Sequence, residues 1–328
     1  MCAAMTETVS PMTPSIDVVV PVHGGWELTR RCLETLASQT VHHRVLVVDN
    51  ASPDDTARRV REEWPDVTLV PMEGNHGYAA AVNAGTAAGE GEAVVVLNND
   101  VEADPDFLER LVAPLAADRR LGMTTPLLLR PGRQKVDGAG LVADATLAAW
   151  PRLQGRPTAD ADVADGVHAG PSGAAGAFRR EALEQVGGFD ERIFMYGEDL
   201  DAVLRLRAAG WEAAMAPGAL AVHVGGASSG RRSQWQRRQF AWARGYLLRR
   251  WSVLRTRAAA RALALESAAA VGDLLASRDF AALGGRLAGW RAARGLQRRR
   301  LPEEALDPMG WRENVRRRRG DYADAAAS

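Results

Sequence analysis

The sequence predicts an α/β protein in which a mostly parallel, Rossmann-like sheet is flanked by helices and followed by a helical C-terminal region. Up to about residue 130, short valine-rich segments alternate with segments of helical periodicity. The valine-rich segments are continuous apolar runs, as is typical of strands buried on both faces of a parallel sheet. Residues 231–300, rich in Ala, Leu, Trp and Arg, show helical patterns nearly throughout.

The predicted elements follow one another in a regular order. Strands are expected at 16–22, 44–50, 67–71, 93–97 and 122–129, and helices at 26–39, 52–64, 77–89 and 105–118. The second helix is predicted to start with Ser52 as its N-cap and Pro53 in the first helical position. Residues 131–170 predict an irregular hairpin or long loop, and helices return at 180–188 and 198–210.

Composition and charge narrow the class of protein. With 328 residues, 46% hydrophobic and 25% charged, the chain is typical of a soluble globular protein with one large or two ordinary domains. Residues 231–328 hold 22 Arg and 9 acidic residues, a net charge of +13, whereas residues 1–230 carry −13. We therefore expect an acidic domain with a basic appendage.

The sequence predicts no disulfide framework, zinc site, secretory signal or membrane-spanning helix. The two cysteines, Cys2 and Cys32, allow no disulfide framework or zinc spacing, and Cys32 falls in a helical pattern where it should pack as a small apolar group. The first residues lack the pattern of a secretory signal, and the most apolar stretch, 262–276, contains two acidic residues. These features predict a cytoplasmic protein.

Polar or glycine-rich residues follow three of the predicted strands, in PVHGG (21–25), VDNAS (48–52) and LNND (97–100). Ligands of open parallel sheets bind beyond the carboxyl ends of the strands, so these segments predict one shared crevice. Neither G-x-G-x-x-G nor a Walker phosphate loop is present. Asp49 could accept a hydrogen bond from a uracil or thymine ring, although a helix-capping turn explains it equally well.

Other polar residues are candidates for chemistry, each with a plainer alternative. Asp100 could bind Mg²⁺ or Mn²⁺, or could cap a turn. Asn83 interrupts an apolar face in GNHGYAAAVNAG (74–85), where tight helix–sheet packing is the alternative. Glu198, Asp199 and Asp201 crowd a helix start, where they could supply a general base or only complement the helix dipole. His223 follows a short strand and would matter only beside Asp100.

Taken in order, these segments resemble the family 2 glycosyltransferases, which use the GT-A fold, and most closely the bacterial rhamnosyltransferase-like branch. The resemblance covers about residues 16–230. It rests on VVVPVHGG, VVDNASPDDT, GNHGYAAAVNAG, VVVLNNDVEADPDFL, GAAGAFRREALEQVGGFDERIFMYGEDLDAVLRLRAAGW and the histidine in AVHVGG. The order and spacing of six such segments make the resemblance specific.

The resemblance implies roles for individual residues. Asp199 matches the catalytic base and is paired with Glu198, while Asp100 and His223 match the metal site. Asn98 stands where the family has the first Asp of its Asp-x-Asp motif. The residues expected to contact the nucleotide sugar are Pro21, Val22, Asp49, Asn75, Gly77, Asn83, Asn98 and Asn99.

The implied activity is inverting, metal-dependent transfer of a sugar, with rhamnose favoured, from a dTDP- or UDP-sugar to an acceptor hydroxyl. The cofactor would be Mg²⁺ or Mn²⁺, and the acceptor a glycan, a lipid-linked sugar or a small molecule. A sugar nucleotidyltransferase and a non-catalytic sugar-nucleotide-binding scaffold are the alternatives. No recognised module predicts nucleic-acid binding. A homodimer is left open.

The implied domains are a disordered segment at 1–15, a catalytic domain at 16–230, a helical region at 231–305 and a flexible tail at 306–328. Within the catalytic domain, residues 16–130 would bind the nucleotide sugar and 131–230 the acceptor. Aromatic, Leu and Arg residues from 235 to 251 predict an amphipathic helix. This helix could pack on the acidic domain or a second subunit, or it could bind an anionic membrane as a peripheral contact.

Overall fold

The structure is a computed structural model that describes residues 14–161, 163, 168–225 and 233–308. The strands are β1 (Ile16–Val22), β2 (Arg44–Asp49), β3 (Thr68–Pro71), β4 (Ala93–Leu97), β5 (Val101–Ala103), β6 (Leu121–Leu129), β7 (Val136–Gly138), β8 (Leu141–Ala143), β9 (Ala149–Pro151), β10 (Ala175–Arg179) and β11 (Glu212–His223). The predicted disordered N-terminal segment, except its last two residues, and nearly all of the predicted flexible tail lie outside the described residues.

Helices connect or follow these strands. They are α1 (Trp26–Ala37), α2 (Thr56–Glu63), α3 (Tyr78–Ala88), α4 (Phe107–Ala117), α5 (Arg180–Val186), α6 (Glu198–Ala208), α7 (Gln234–Arg250), α8 (Ala259–Ser277) and α9 (Ala281–Ala292). The helical content expected after residue 230 is confirmed in the described part of that region. None of the described helices has both the length and the apolar character needed to cross a membrane.

The main sheet of the described chain has the strand order β3-β2-β1-β4-β10-β6-β11-β5, with β7 paired to β6. The strands β1 to β4 pair in parallel, as predicted, and β6 pairs in parallel with β11. However, β10 is inserted antiparallel between β4 and β6, and β5 pairs antiparallel with β11. The sheet is therefore mixed and mostly parallel, as predicted, because β6 runs in the same direction as β4 on the other side of β10.

The sheet is buried on both faces, which explains its continuous apolar strands. Along β1, Val18, Val20 and Val22 pack with α1, α2 and α4, whereas Val19 packs on the opposite face with α3, α5 and α6. Successive side chains of a strand point to opposite faces, so both sets must be apolar. Cys32 is fully buried in the first of these layers, which confirms its predicted packing role.

The helix α7 packs into the core beside α6. Its residues Tyr246 and Leu247 are buried, as is Trp251 directly after it, and the Trp251 indole donates a hydrogen bond to Asp201 Oδ1 at 2.9 Å. The Tyr246 hydroxyl donates to Asp190 Oδ2 at 2.5 Å. Of the two hypotheses for this amphipathic helix, packing on the acidic part of the chain therefore accounts for its inner face.

Candidate active site

The carboxyl ends of β1 and β2 lie side by side and form one wall of the candidate site. Val22 is the register partner of Asp49, and Pro21 is the partner of Val48. The Asn50 amide continues this pairing by donating to the Val22 carbonyl at 2.8 Å. Asp49 is buried, and its Oδ1 accepts a hydrogen bond from the Ser52 amide at 3.1 Å. Three of the predicted nucleotide-contacting residues, Pro21, Val22 and Asp49, are thus brought together.

The turn between β1 and α1 is fixed by the segment that follows β2. Gly24 and Gly25 both have φ above +80°, a conformation that glycine adopts without strain. The Gly24 amide donates to Ser52 Oγ at 2.7 Å, and the Gly25 amide donates to Asp54 Oδ2 at 2.8 Å. The predicted helix start at Ser52 is therefore wrong: Asp55 precedes the first helical residue, and Ser52 holds the neighbouring turn instead.

Asn50 organises the loop that leads into α3, a role that was not predicted for it. Its Nδ2 donates to Asn75 Oδ1 and to the Gly77 carbonyl, each at 3.1 Å, and its Oδ1 accepts from the His76 amide at 2.9 Å. The Gly77 backbone has φ of 89°, and a Cβ there would lie 2.4 Å from the Phe194 carbonyl oxygen. Only glycine can bring this loop so close to the segment before α6.

The polar residues after β4 point in different directions. Asn99 faces the first turn of the site, with its Nδ2 donating to Thr29 Oγ1 at 3.0 Å and placed 3.4 Å from the Gly24 carbonyl. The Asn98 amide donates to the Ala174 carbonyl at 2.9 Å. Asp100 is buried and lies at the side of His223, with its Oδ1 3.3 Å from His223 Nε2. His223 therefore lies close to Asp100, which was the condition for regarding it as a functional residue.

His223 is held between two carboxylates. Its Nδ1 lies 2.7 Å from Asp137 Oδ2, while its Nε2 faces Asp100. Burial by itself would lower the pKa of His223, but the two carboxylates outweigh that effect and raise the pKa to about 10. Asp137 fixes the ring orientation through the nitrogen that faces away from Asp100. It belongs to β7, inside the region predicted to be an irregular hairpin or long loop, and nothing in its local sequence pointed to this contact.

The chemistry of Asp100 and His223 fits a divalent cation. Asp100 Oδ1 is buried beside His223 Nε2 at 3.3 Å, and a cation between them would displace the proton that the two carboxylates favour on the ring. Within the described part of the chain, no group of three or more His, Cys, Asp or Glu could bind a metal unaided. A cation here would take its remaining ligands from water and from a substrate diphosphate, as Mg²⁺ commonly does.

Glu198 and Asp199 form a second acidic centre at the first turn of α6. Asp199 Oδ2 accepts from the Gly173 amide at 2.9 Å and its Oδ1 accepts from the Leu200 amide at 2.7 Å. Burial raises the pKa of Asp199, although these two backbone hydrogen bonds oppose the shift. Burial and the neighbouring Asp199 charge raise the pKa of Glu198 to about 8. The pair together therefore holds a proton near neutral pH.

Tyr78 and Gly173 link α3 to the acidic pair on α6. The Tyr78 hydroxyl donates to the Gly173 carbonyl, and the Gly173 amide donates to Asp199. Burial and the charges of Glu198, Asp199 and Asp100 raise the pKa of Tyr78 well above its usual value. Because the Asn98 amide donates to the Ala174 carbonyl, the segment 173–174 joins the first turn of α6 to the end of β4, where Asp100 follows.

Asn83 is the predicted nucleotide-contacting residue that the structure places elsewhere. It lies five residues beyond Tyr78 on α3, about 7.5 Å along the helix axis. Its side-chain amide forms three hydrogen bonds. Nδ2 donates to the Phe189 carbonyl and to Glu191, and Oδ1 accepts from the Phe189 amide. The observed role of Asn83 is to hold the segment that follows α5.

The raised pKa of Glu198 predicts an unusual dependence of stability on pH. Between its ordinary value near 4.3 and about 8, the folded chain keeps a proton that the unfolded chain has lost. Stability contributed by this group therefore falls as pH rises through that window. We expect Glu198→Gln to raise the thermal unfolding temperature more at pH 8.5 than at pH 5. Glu73→Gln, which changes an exposed carboxylate, should show no such pH-dependent gain.

Comparisons with known proteins show which family this chain resembles. Residues 17–187 match the family described as Glycosyl transferase family 2. An N-acetylglucosaminyl-diphospho-decaprenol L-rhamnosyltransferase of Mycobacterium tuberculosis is 32% identical over 246 residues, which cover 67% of this chain and 79% of that protein. The O-antigen biosynthesis protein RfbC of Myxococcus xanthus is 31% identical over 209 residues, covering 60% of this chain and 16% of RfbC.

Among solved structures, GalNAc-T7 with UDP, GalNAc and Mn²⁺ superposes with a TM-score of 0.58 at 16% sequence identity. The match covers 73% of this chain and 48% of that structure, so this chain spans about half the length of GalNAc-T7. At this level of identity the similarity concerns the fold, and it confirms the predicted GT-A architecture.

Proposed function

Because the chain belongs to glycosyl transferase family 2, and is therefore a glycosyltransferase of the rhamnosyltransferase-like type, we propose that it transfers a sugar with inversion and with the help of a divalent cation. The observation that carries the proposal is that the segment 173–174 bonds both to Asp199 and to the end of β4, two residues before Asp100, whose Oδ1 lies 3.3 Å from His223 Nε2. The Asp100–His223 centre suits a diphosphate leaving group, and the Glu198–Asp199 pair suits an acceptor hydroxyl.

Asp199 is the proposed base. An acceptor hydroxyl is a weak nucleophile, so a carboxylate that removes its proton as the new bond to the anomeric carbon forms would promote attack. The raised pKa of Asp199 increases its basicity, and two backbone amides hold its oxygens in place. The acceptor oxygen attacks the anomeric carbon from the face opposite the diphosphate. The old anomeric C–O bond breaks as the diphosphate leaves, and the configuration is inverted. Protonated Glu198 avoids a second negative charge beside the base.

On the donor side, the residues around β1 and β2 are proposed to bind the nucleotide. Asp49 is placed to accept from the N3–H of a uracil or thymine ring, with Pro21 and Val22 beside it. Asn75 and Gly77 present loop groups near the diphosphate, and Asn98 and Asn99 flank Asp100. A divalent cation held by Asp100 and His223 would offset negative charge on the leaving diphosphate.

The proposed donor is dTDP-rhamnose, because the Mycobacterium tuberculosis relative is named a rhamnosyltransferase. A thermal-shift panel of dTDP-rhamnose, UDP-glucose and UDP-N-acetylglucosamine, each with Mg²⁺, Mn²⁺ or chelator, tests donor and cation together. A ligand at about 100 times its dissociation constant contributes roughly 2.7 kcal/mol of stability. Stabilisation by dTDP-rhamnose only with a cation would support the proposal, and equal shifts with and without chelator would contradict the metal part.

Two other functions predict different products. A sugar nucleotidyltransferase would release pyrophosphate, whereas sugar transfer or slow donor hydrolysis releases a nucleoside diphosphate. A non-catalytic binding protein would release neither. Chromatography of the nucleotide products after incubation with donor and cation therefore distinguishes the three, and nucleoside diphosphate is the expected product.

The proposed acceptor is a lipid-linked sugar at a membrane surface, since the relative is named for a decaprenol-diphosphate acceptor. In the described chain, the large apolar side chains that are exposed all lie on α7 to α9 or their connections: Trp235, Phe240, Leu263, Val271, Leu275, Phe280, Leu283 and Leu287. Two of them adjoin the segment before Glu198. Trp235 packs edge-on against Phe194 at 6.0 Å, and Phe240 contacts Tyr196 at 5.6 Å.

We expect the protein to co-sediment with anionic liposomes at low salt and to be released as salt rises, because surface charge attraction is screened. Replacing Trp235 and Phe240 together by Ser should reduce the bound fraction several-fold without changing donor hydrolysis. Absence of binding at low salt would exclude this membrane contact. A homodimer and the domain limits at about residues 130 and 230 stay predictions, open to light scattering and limited proteolysis.

A further inference from the structure

A second polar cavity lies away from the candidate active site, where α7 and the segment after α9 meet α6. Its volume is about 550 Å³. Arg205 of α6, Arg250 at the end of α7 and Arg299 line it together with Asn83 and the segment 186–192. Arg205 lies six residues beyond Asp199, about 9 Å along α6.

Arg205 is a buried residue at this cavity, and one of its guanidinium nitrogens has no hydrogen-bond partner among the described residues. The side chain is 4% exposed, its Nε donates to Asp201 Oδ2 at 2.6 Å, and its Nη1 donates to the Val186 and Gly188 carbonyls. Its Nη2 is buried and has no hydrogen-bond partner among the described residues. An unpaired buried donor on a guanidinium is costly, so a ligand that accepts from it would stabilise the fold.

Arg250 and Arg299 add positive charge without matching carboxylates. Each has a buried Nε with no partner in the described part of the chain, and neither forms an ion pair there. The Arg299 amide donates to the Arg250 carbonyl at 2.8 Å, which keeps the two residues adjacent. Burial and the charges of Arg250 and Arg205 lower the pKa of Arg299, as expected where three guanidinium groups crowd together.

The carboxylates near the cavity are already occupied. Asp190 accepts from Tyr246 and pairs with Arg192, and Asp201 accepts from Arg205 and Trp251. Glu191 accepts from Asn83 at 2.8 Å. Counting Arg192, four arginines stand beside the three carboxylates Asp190, Glu191 and Asp201, so the region of the cavity keeps a net charge of about +1.

We propose that this cavity binds a phosphate-type oxyanion between Arg205, Arg250 and Arg299. Guanidinium groups present planar, forked donors that suit phosphate oxygens, and three of them line this one space. The cavity volume accommodates a phosphate or a diphosphate group. Binding would tie the segment around Arg299 to α6 and α7, and so would stabilise the packing of the C-terminal helices on the sheet-covering helices.

The test measures thermal unfolding with inorganic phosphate or pyrophosphate against chloride at equal ionic strength. The expected result is a saturable rise in unfolding temperature with the oxyanions. Arg299→Gln should raise the half-saturating concentration at least tenfold. Arg298→Gln and Arg300→Gln, which remove exposed neighbouring charges, are the matched controls and should behave like the wild type.

Further arms identify the source of the anion and separate this site from the active site. Asp100→Ala should leave the phosphate response intact, because Asp100 belongs to the candidate active site and does not line this cavity. Phosphatidic acid vesicles that give the same Arg299-dependent stabilisation would identify a lipid headgroup, and a response to free phosphate alone would identify a soluble ligand. An equal response of Arg299→Gln and wild type, or no response to either oxyanion, would overturn the proposal.

Discussion

Asp199→Asn should reduce sugar transfer at least 10²-fold, while the affinity for the donor stays near that of the wild type. General bases contribute about 10²–10⁴ in rate, and 10²-fold corresponds to about 2.7 kcal/mol in activation free energy. The substitution keeps the size of the side chain and its acceptor oxygen but removes basicity. Transfer rate and donor affinity should be measured separately, by product formation at saturating donor and by thermal shift.

The neighbouring carboxyl provides a matched comparison for this prediction. Glu198→Gln changes a buried group that is already protonated near neutral pH, so its effect on transfer should be much smaller than that of Asp199→Asn. If Asp199→Asn keeps wild-type turnover, another group is the base. If both variants lose activity equally, the assignment of the proton to Glu198 is mistaken.

The second large effect is expected for Asp100→Ala. Removing this carboxylate should abolish the part of the donor-induced thermal shift that depends on Mg²⁺ or Mn²⁺, and transfer should fall by at least 10²-fold. The physical reason is that the described residues offer few cation ligands, so the loss of one leaves His223 and the diphosphate alone. Titration of the cation at fixed donor concentration is the direct measurement.

Controls for Asp100→Ala must separate a lost ligand from a lost structural contact. Asp66→Ala removes an exposed carboxylate and should leave the cation dependence unchanged. His223→Ala should reproduce the loss of cation dependence, because its Nε2 faces Asp100. Full cation-dependent binding by Asp100→Ala would show that the metal, if one is used, is held elsewhere.

Asp137 illustrates a contact that sequence patterns do not reveal. It reaches His223 across 86 positions of sequence because β7 pairs with β6, which in turn pairs with β11. Strands of three residues carry too little periodicity to be recognised, and their pairing depends on distant partners. The insertion of β10 between β4 and β6 has the same origin, since antiparallel and parallel neighbours are chosen by the whole sheet.

Local polar residues show the same limit on a smaller scale. Asn50 stands at the end of a predicted strand and Asn83 in the middle of a predicted helix, yet Asn50 organises the loop before α3 while Asn83 anchors the segment after α5. An amide side chain has donors and an acceptor that suit many partners, so its identity does not define its role. Only the position of the neighbouring backbone groups decides which partners it takes.

The sequence alone determined the α/β class, four adjoining strands and the family, because these depend on apolar runs and on motifs that are local in the chain, and it proposed Asp100 and Asp199 as site residues. The tertiary structure alone decided that His223 lies beside Asp100, that Asp137 orients it, and that Tyr78 and Gly173 link α3 to Asp199. It also decided which face of α7 is buried and brought Arg205, Arg250 and Arg299 together. Contacts between distant segments arise from packing and strand pairing across the whole chain, and no local pattern encodes them.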